Sequence, residues 1–346
     1  MTKLSVTGVI ATRDQATFIR EAVLSLLTEV DELIVVDDGS HDATWQVLLE
    51  CSAPHLRLIR HDVSKGVSHS FNEAVALASS DVILIQGGDD RSLPGRALSQ
   101  ATVLLDPEVV LVYSRPIVIN GAGRVLPPES AGEFLGPAEN SDPLHYFFYQ
   151  GNFICAPSVA VRRQDYLTFG GFPPGIDLLQ DFGLWLAMVA RGKFVRLDRP
   201  VVEYRKHGTN LSRESMGRGS SRQRRYAAEM DAVLSRFVAT ADRATLERLA
   251  RGVGHGLPSW APLDDSDCRT LLLLNHPLKQ LVRRGLANLF DMLAREDGDE
   301  AFAHLGLDIE DLNRFAVLAD HENRDEVTRA ARVSTRLTQL QSQSER

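Results

Sequence analysis

Short, mostly apolar runs in the first part of the chain alternate with segments of helical spacing, and this pattern most limits the available folds. These predicted strands cover residues 6–11, 33–36, 56–59 and 82–85. Apolar strands that alternate with helices predict an α/β fold with a parallel sheet covered on both faces. Ligands of such sheets bind beyond the carboxyl ends of the strands. We therefore expect functional residues directly after these runs.

Polar and acidic residues do follow three of the runs, as Thr12-Arg13-Asp14, Asp37-Asp38-Gly39-Ser40 and Gly87-Gly88-Asp89-Asp90. Paired carboxylates beside glycines suit Mg²⁺ or Mn²⁺, which prefer oxygen ligands. The same residue types also form turns and helix caps, so each cluster alone leaves both interpretations open. The first strand is followed by neither a Walker loop nor Gly-x-Gly-x-x-Gly, which argues against an ordinary ATPase or a dinucleotide dehydrogenase.

The composition is that of a globular protein, with 346 residues of which 44% are hydrophobic and 24% charged. A net charge of -8 argues against a nucleic-acid partner. Three widely spaced cysteines exclude a disulfide framework and suit a reducing compartment. The first residues lack the apolar core of a signal peptide, and the apolar runs are too short to span a membrane. We expect a cytoplasmic location, with peripheral contact at the inner membrane face left open.

The pattern becomes helical in the last third of the chain. We predict a boundary between residues 1–212 and 213–346, with a polar, basic segment at 208–225. Residues 278–293 carry an apolar stripe on one predicted helix, and basic residues lie beside it. Such a stripe predicts a core-packing or homodimer face, and attachment to an anionic membrane is the other interpretation.

Several blocks of residues 4–212 resemble, in order, those of the family 2 glycosyltransferases. The N-terminal blocks are residues 9–14, residues 34–42, and Gly66-Val67-Ser68 with Asn72. Residues 85–94 are similar to the family's metal-binding segment. The later blocks resemble its acceptor half, and they are Gly170-Gly171-Phe172, residues 180–185 and Tyr204-Arg205-Lys206-His207.

This resemblance implies a GT-A fold, a mostly parallel sheet flanked by helices, with a helical C-terminal region. It also implies inverting transfer of a sugar from a nucleotide-diphosphate donor with the help of Mn²⁺ or Mg²⁺. By position, the metal ligands would be Asp89, Asp90 and His207. The nucleotide-binding residues would be Ala11, Thr12, Arg13, Asp38, Asn72 and Gly88. The sequence departs from the family at Gly87, which stands where the family commonly has the first acid of Asp-x-Asp.

Asp181 is the residue that we predict to be the general base. A carboxylate that begins an apolar helix is partly desolvated, and desolvation raises its basicity. The competing interpretation is a helix N-cap, which aspartate also serves well. Around it we predict an acceptor pocket formed by Asn152, Gln180 and Trp185. In the basic segment, Arg213 and Arg218 are predicted to close over the donor diphosphate, or else to belong to a solvated linker.

The favoured donor is a UDP-sugar, and the expected acceptor is a hydroxyl of a glycan or lipid-linked glycan in bacterial polysaccharide assembly. Two alternatives remain open from the sequence. A non-catalytic sugar- or nucleotide-binding protein on the same scaffold is compatible with Gly87. A nucleotidyltransferase also binds nucleotide and metal on such a sheet, but residues 11–16 lack the glycine- and lysine-rich loop that it would need.

Overall fold

The computed structural model describes residues 3–137, 141–208, 220–251, 263–295, 298, 302 and 305–319. The chain divides into two compact units, residues 1–230 and 231–346. The predicted domain boundary near residue 213 lies outside the described residues, as do Arg213 and Arg218.

The first unit is built around a seven-stranded, mostly parallel sheet, as predicted. Its strand order is β3-β2-β1-β4-β8-β6-β9. Neighbouring strands among the first four are parallel, and β8 runs antiparallel between β4 and β6. The strands are β1 (Val6–Thr12), β2 (Glu32–Asp37), β3 (Leu56–Arg60), β4 (Val82–Gly87), β6 (Val109–Ser114), β8 (Ala160–Arg162) and β9 (Lys193–Leu197).

Strands β1, β2 and β4 are buried, and helices pack against β1 and β2, whereas β3 at the edge of the sheet is only partly buried. Val9, Ile10 and Leu84 have no exposed surface, and the apolar face of the first helix is equally buried. This is the burial that a near-continuous apolar strand requires. The helices are α1 (Ile19–Leu27), α2 (Thr44–Leu49), α3 (Val67–Leu77), α4 (Arg96–Val103), α5 (Pro143–Gln150), α6 (Arg163–Thr168), α7 (Gln180–Val189) and α8 (Ser221–Thr240), which runs across the boundary of the two units.

A second, three-stranded sheet brings distant parts of the sequence to the end of β4. It contains β5 (Arg91–Ser92), β7 (Ile117–Asn120) and β10 (Val202–Lys206), with β10 in the centre. β5 directly follows Asp90, and β10 directly precedes His207. Since β5 and β10 pair, these two residues are held near each other. The segment that follows β7 includes a short 3₁₀ helix, Pro128–Phe134.

The second unit is helical, as predicted. It contains the end of α8, then α9 (Arg243–Ala250), α10 (Asp265–Leu274), α11 (Lys279–Leu293) and α12 (Ile309–Ala319). The apolar stripe lies on α11 and is buried, and α11 packs closely on α10, since a Cβ at Gly285 would lie 2.8 Å from Leu274 N. The stripe is thus a core face within this unit. Among the described residues, no helix has both the length and the apolar character to cross a membrane.

Candidate active site

The carboxyl ends of β1, β2 and β4 meet at one edge of the sheet. Thr12 pairs with Asp37, and Ala11 pairs with Gly87. Gly88 approaches β1 so closely that a Cβ there would lie 2.5 Å from Thr12 Oγ1. The structure therefore brings together Ala11, Thr12 and Gly88, three of the predicted nucleotide-binding residues.

The loop after β1 is fastened to the loop after β2. The backbone N–H of Asp14 donates to Ser40 Oγ at 2.9 Å, and the backbone N–H of His41 donates to Asp14 Oδ1 at 2.7 Å. Asp14 has φ of 53°, a left-handed conformation that aspartate tolerates better than most residues. Arg13 is exposed between these loops, with Nε 3.7 Å from Asp14 Oδ2. Its guanidinium is thus placed at the edge where the strands end.

Asp38 is buried and accepts four hydrogen bonds from one loop. Oδ1 accepts from His61 Nδ1 at 2.7 Å and from the backbone N–H of Lys65 at 2.8 Å. Oδ2 accepts from Ser64 Oγ at 2.6 Å and from the backbone N–H of Gly66 at 3.0 Å. Burial opposes ionisation, but these bonds outweigh it and lower the pKa of Asp38 to about 2. Because these bonds fill both oxygens, a nucleobase can reach them only by displacing one donor.

Asn72, another predicted nucleotide-binding residue, connects α3 to the Gly170-Gly171-Phe172 block. Its Oδ1 accepts from Tyr166 Oη at 2.7 Å and from the backbone N–H of Phe172 at 2.9 Å. Its Nδ2 donates to the carbonyl of Phe172 at 2.8 Å. The contacts of this side chain in the structure are therefore structural, and its role toward a nucleotide stays a prediction.

Asp89 and His207 form a pair at the end of β4. His207 Nε2 lies 2.8 Å from Asp89 Oδ2, and both side chains are largely buried. A Cβ at Gly87 would lie 2.8 Å from Asp89 Oδ1 and 2.7 Å from Asp90 Oδ2. Both carboxylates therefore use the space that a side chain at position 87 would take. The carboxylate suits Mn²⁺ or Mg²⁺, whereas imidazole is a ligand of transition metals, so this pair fits Mn²⁺ better than Mg²⁺.

Asp90 is placed differently from Asp89. It is almost fully buried, and its Oδ1 accepts from the backbone N–H of Arg205 at 2.8 Å. Burial, together with the negative charge of Asp89, raises the pKa of Asp90 well above its usual value. Among the described residues, the ligand atoms of Asp89, Asp90 and His207 do not form a three-membered group within 4.8 Å. The predicted metal set is thus assembled only as the Asp89–His207 pair, while Asp90 Oδ1 is held by the backbone N–H of Arg205.

Arg205 supports this segment and was not predicted as a site residue. Its buried guanidinium donates through Nε to the carbonyl of Asp89 at 2.7 Å and through Nη2 to Glu21 Oε2 at 2.6 Å. It also lies over the ring of Phe18, 4.8 Å from the centroid. The only sequence signal was its place in the Tyr204-Arg205-Lys206-His207 block.

Asp181 lies in the first turn of α7 and is half-buried. Asn152 Nδ2 donates to its Oδ2 at 2.8 Å, so the structure joins two of the predicted residues. Burial raises the pKa of Asp181 to about 6, although the backbone N–H of Phe182 and the amide of Asn152 act in the opposite direction. A carboxylate with a pKa near neutrality suits general-base work.

Asp181 and the Asp89–Asp90 pair lie at the same edge of the sheet. β8 is antiparallel to β4, with Ala160 opposite Leu84, so the residues just before β8 lie toward the carboxyl end of β4. Asn152 and Cys155 belong to this preceding segment. Burial raises the pKa of the Cys155 thiol, and the negative charges of Asp90 and Asp181 both add to the increase. Both carboxylates are therefore within electrostatic range of one buried side chain.

The two other predicted acceptor residues differ from each other. Gln180 is half-buried, and its Oε1 is buried without a hydrogen-bond partner, so it offers an acceptor beside Asp181. Trp185 has no exposed surface and packs against Phe172 with ring centroids 5.9 Å apart. Trp185 was predicted to form part of the acceptor pocket. Its side chain instead lies wholly in the core, so it does not line an open pocket.

Glu229 on α8 was not predicted, yet it holds the segment in front of Asp181. Its buried carboxylate accepts from the backbone N–H groups of Asp177, Leu178 and Leu179, at 3.3, 2.8 and 3.1 Å. Arg225 Nε donates to Glu229 Oε1 at 2.8 Å, and Arg225 also pairs with Asp177. This arginine of the predicted lid segment is therefore engaged in structural ion pairs.

Replacing Glu229 with alanine should lower the free energy of unfolding of the first unit by about 2–4 kcal/mol, because buried N–H groups lose a charged acceptor. Glu108→Ala, at an exposed acid of the same unit, is the matched control and should change it by less than about 0.5 kcal/mol. Denaturant unfolding of both variants measures the difference. If both variants lost the same free energy of unfolding, the contacts of Glu229 with residues 177–179 would make no specific contribution to stability.

The sequence of residues 7–168 matches the family model described as Glycosyl transferase family 2. The chain carries a family 2 glycosyltransferase domain. The match begins in β1 and ends with α6, so it includes the ends of β1, β2 and β4, while α7 with Asp181 follows it.

Known proteins that are similar to this chain in sequence or in structure agree with this match. It is 27% identical over 179 residues to "Putative glycosyltransferase EpsE" of Bacillus subtilis, covering 50% of this chain and 61% of that protein. The structure of S. aureus TarS 1-349 in complex with UDP-GlcNAc has a TM-score of 0.55 at 16% identity, covering 92% of this chain and 82% of that one. Mannosyltransferase PcManGT from Pyrobaculum calidifontis, in complex with GDP-Man and Mn²⁺, has a TM-score of 0.51 at 16% identity, covering 97% and 88%. The first unit has the GT-A fold.

Proposed function

We propose that this protein is an inverting glycosyltransferase that moves a sugar from a nucleotide-diphosphate donor to a hydroxyl acceptor. The observation that carries the proposal is Asp181, whose pKa is raised to about 6 at the same edge of the sheet as Asp89. A base with this pKa is largely ionised at neutral pH and still basic enough to accept a proton in a transition state. The family 2 domain supplies the expected scaffold.

In the proposed reaction, the acceptor oxygen attacks the anomeric carbon from the face opposite the diphosphate. Asp181 takes the proton of the acceptor hydroxyl, the new glycosidic bond forms, and the bond to the diphosphate breaks with its electron pair leaving on oxygen. Asn152 holds the Asp181 carboxylate through Oδ2. Gln180 keeps its predicted place beside Asp181, where its buried Oε1 has no hydrogen-bond partner in the structure.

Asp89 and His207 are the residues that we propose to hold a divalent cation, with Asp90 and Arg205 fixing their loop. When bound, such an ion neutralises charge on the leaving diphosphate. Ala11, Thr12 and Gly88 would line the nucleotide, and the exposed Arg13 is placed to meet phosphate oxygens. We propose that Asp38 fixes the loop at residues 64–66 beside the nucleotide.

A UDP-sugar is the donor that we favour. TarS was crystallised with UDP-GlcNAc, whereas PcManGT was crystallised with GDP-Man, so this chain's fold is compatible with either base. For the acceptor we propose a hydroxyl of a glycan or a lipid-linked glycan.

A panel of nucleotide sugars with Mn²⁺ tests the proposal without knowledge of the acceptor. Slow release of nucleoside diphosphate from one donor, through transfer to water, is the expected result. Binding of a donor with no release over a long incubation would indicate a non-catalytic binding protein. Release of pyrophosphate from a nucleoside triphosphate and a sugar phosphate would indicate a nucleotidyltransferase. Either of these outcomes contradicts the proposal.

The rate of this reaction should fall as the pH is lowered through about 6. The general base must be ionised, and the pKa of Asp181 is about 6, so the rate should drop tenfold per pH unit below that value. Asn152→Ala removes a donor that favours the carboxylate, so it should raise the pKa and move the profile to higher pH. Turnover measured from about pH 5 to about pH 8 checks both statements. A profile that Asn152→Ala leaves in place would count against Asp181 as the titrating group.

A further inference from the structure

We propose that His61, His69 and Glu73 form a binding site for a transition-metal ion of the Zn²⁺ class, in addition to the Asp89–His207 pair. One ligand atom from each of these three residues lies within 4.8 Å of the others. The site needs no assumption about the reaction that the protein catalyses.

The local structure explains why these side chains meet. His61 directly follows β3, whereas His69 and Glu73 stand four residues apart on α3 and so share one face of that helix. His61 Nε2 lies 2.6 Å from Glu73 Oε2, and the rings of His61 and His69 are 5.6 Å apart. The set combines one buried, one half-buried and one exposed residue, so an ion can reach it from solvent.

Asp38 prepares His61 for this role. Asp38 Oδ1 accepts a hydrogen bond from His61 Nδ1 at 2.7 Å, and this carboxylate is anchored by three further donors. A proton on Nδ1 leaves the lone pair of neutral His61 on Nε2, which points at Glu73. A histidine whose other ring nitrogen donates to a carboxylate is the usual arrangement in metal sites, because the carboxylate fixes the ring and raises its basicity.

The short contact between His61 Nε2 and Glu73 Oε2 requires a proton or a cation between the two atoms. A neutral imidazole lone pair and an ionised carboxylate repel each other at 2.6 Å unless a proton bridges them. A metal ion replaces that proton. With ligand bonds of about 2.0–2.1 Å, the two atoms would be about 3.3 Å apart in a tetrahedral site, so Glu73 needs to withdraw by less than about 1 Å.

The ligand types indicate which ion is bound. Two imidazoles and one carboxylate suit Zn²⁺ and similar transition metals, whereas Mg²⁺ and Ca²⁺ prefer oxygen ligands. The negative charges of Glu73 and Asp38 together balance a divalent ion. Three protein ligands leave a fourth position open for water or for a group of another molecule.

Calorimetric titration of the metal-stripped full chain with Zn²⁺ tests this site. His69→Gln and Glu73→Gln should each weaken the binding by at least about tenfold, whereas His41→Gln, at a histidine whose side chain is 80% exposed, should leave it unchanged. Binding should release a proton, so the measured enthalpy should depend on the ionisation enthalpy of the buffer. Zn²⁺ should also raise the melting temperature of the wild type more than that of His69→Gln, which reports binding even where an affinity is weak.

Asp89→Asn is the control for Zn²⁺ binding at the Asp89–His207 pair, and this variant should still bind Zn²⁺ at His61, His69 and Glu73. Loss of the tight Zn²⁺ binding in Asp89→Asn but not in His69→Gln would overturn the proposal. Equal Zn²⁺ affinity in the wild type, His69→Gln and Glu73→Gln would overturn it as well, and would make His61 a protonated bridge between Asp38 and Glu73. Because these variants address only metal binding, a failed glycosyltransferase assay does not affect the outcome.

Discussion

Asp181→Asn should lower the turnover of sugar transfer by about 10²–10⁴-fold, the usual contribution of a positioned general base. Asparagine has nearly the same shape and can still accept from the backbone N–H of Phe182, so the turn of α7 should persist. In the structure the Asp181 carboxylate accepts from Asn152 and from the backbone N–H of Phe182, which are outside the predicted nucleotide-binding set. We therefore expect the affinity for the donor to change little, while the pH dependence below about 6 disappears.

Two measurements separate this result from a general loss of structure. Donor affinity by calorimetry and turnover by nucleotide release are compared for Asp181→Asn and for Asp198→Asn, which alters an exposed aspartate between β9 and β10. The control should retain wild-type values in both. If Asp181→Asn kept its turnover, another group would have to accept the proton and the proposed role of Asp181 would be rejected.

Asp89→Asn should have the second large effect, on the donor side. The substitution removes the charge that faces His207 and with it the principal ligand that we propose for the cation. A bound divalent ion contributes several kcal/mol to stabilisation of the leaving group, so turnover should fall by about 10²-fold or more. Mn²⁺-dependent donor binding should weaken by at least about tenfold, because the ion would bridge protein and diphosphate.

Titrations of donor with and without Mn²⁺ measure this effect directly. In the wild type, Mn²⁺ should strengthen donor binding, and in Asp89→Asn the two titrations should converge. Asp198→Asn again serves as the control, because it changes the net charge by the same amount and leaves the loop of Asp89 and Asp90 unaltered. If Mn²⁺ strengthened donor binding equally in Asp89→Asn, the assignment of Asp89 as the principal ligand would be wrong.

The central part of the fold was predictable because its signal is local. β1, β2 and β4 are apolar runs whose burial follows directly from their composition, and both the GT-A fold and the family resemblance are confirmed. β9 was missed because Lys193 and Arg196 interrupt its apolar pattern at the edge of the sheet. α4 was missed because its buried face includes Arg96 and Gln100, polar residues that a helical hydrophobic pattern does not count.

The site was predictable only as far as short motifs extend. Asp89, Asp90, Asp181 and His207 stand in recognisable blocks, and the structure brings them to one edge, although their roles stay predictions. The contacts of Arg205 with Asp90 and of Glu229 with Leu179 join residues 115 and 50 positions apart. No local pattern reports such contacts. The solvent exposure of Trp185 could not be predicted either, because the sequence around it is compatible both with a pocket residue and with a core residue.

The position of Glu229 has a practical consequence for where this protein can be shortened. A version ending at residue 212, the boundary suggested by sequence, would lack the carboxylate that binds the backbone just before α7. The first turn of that helix would then face water instead of a fixed anion. An expressed fragment that retains residues through 230 keeps this support, so the start of α8 belongs with the transferase domain.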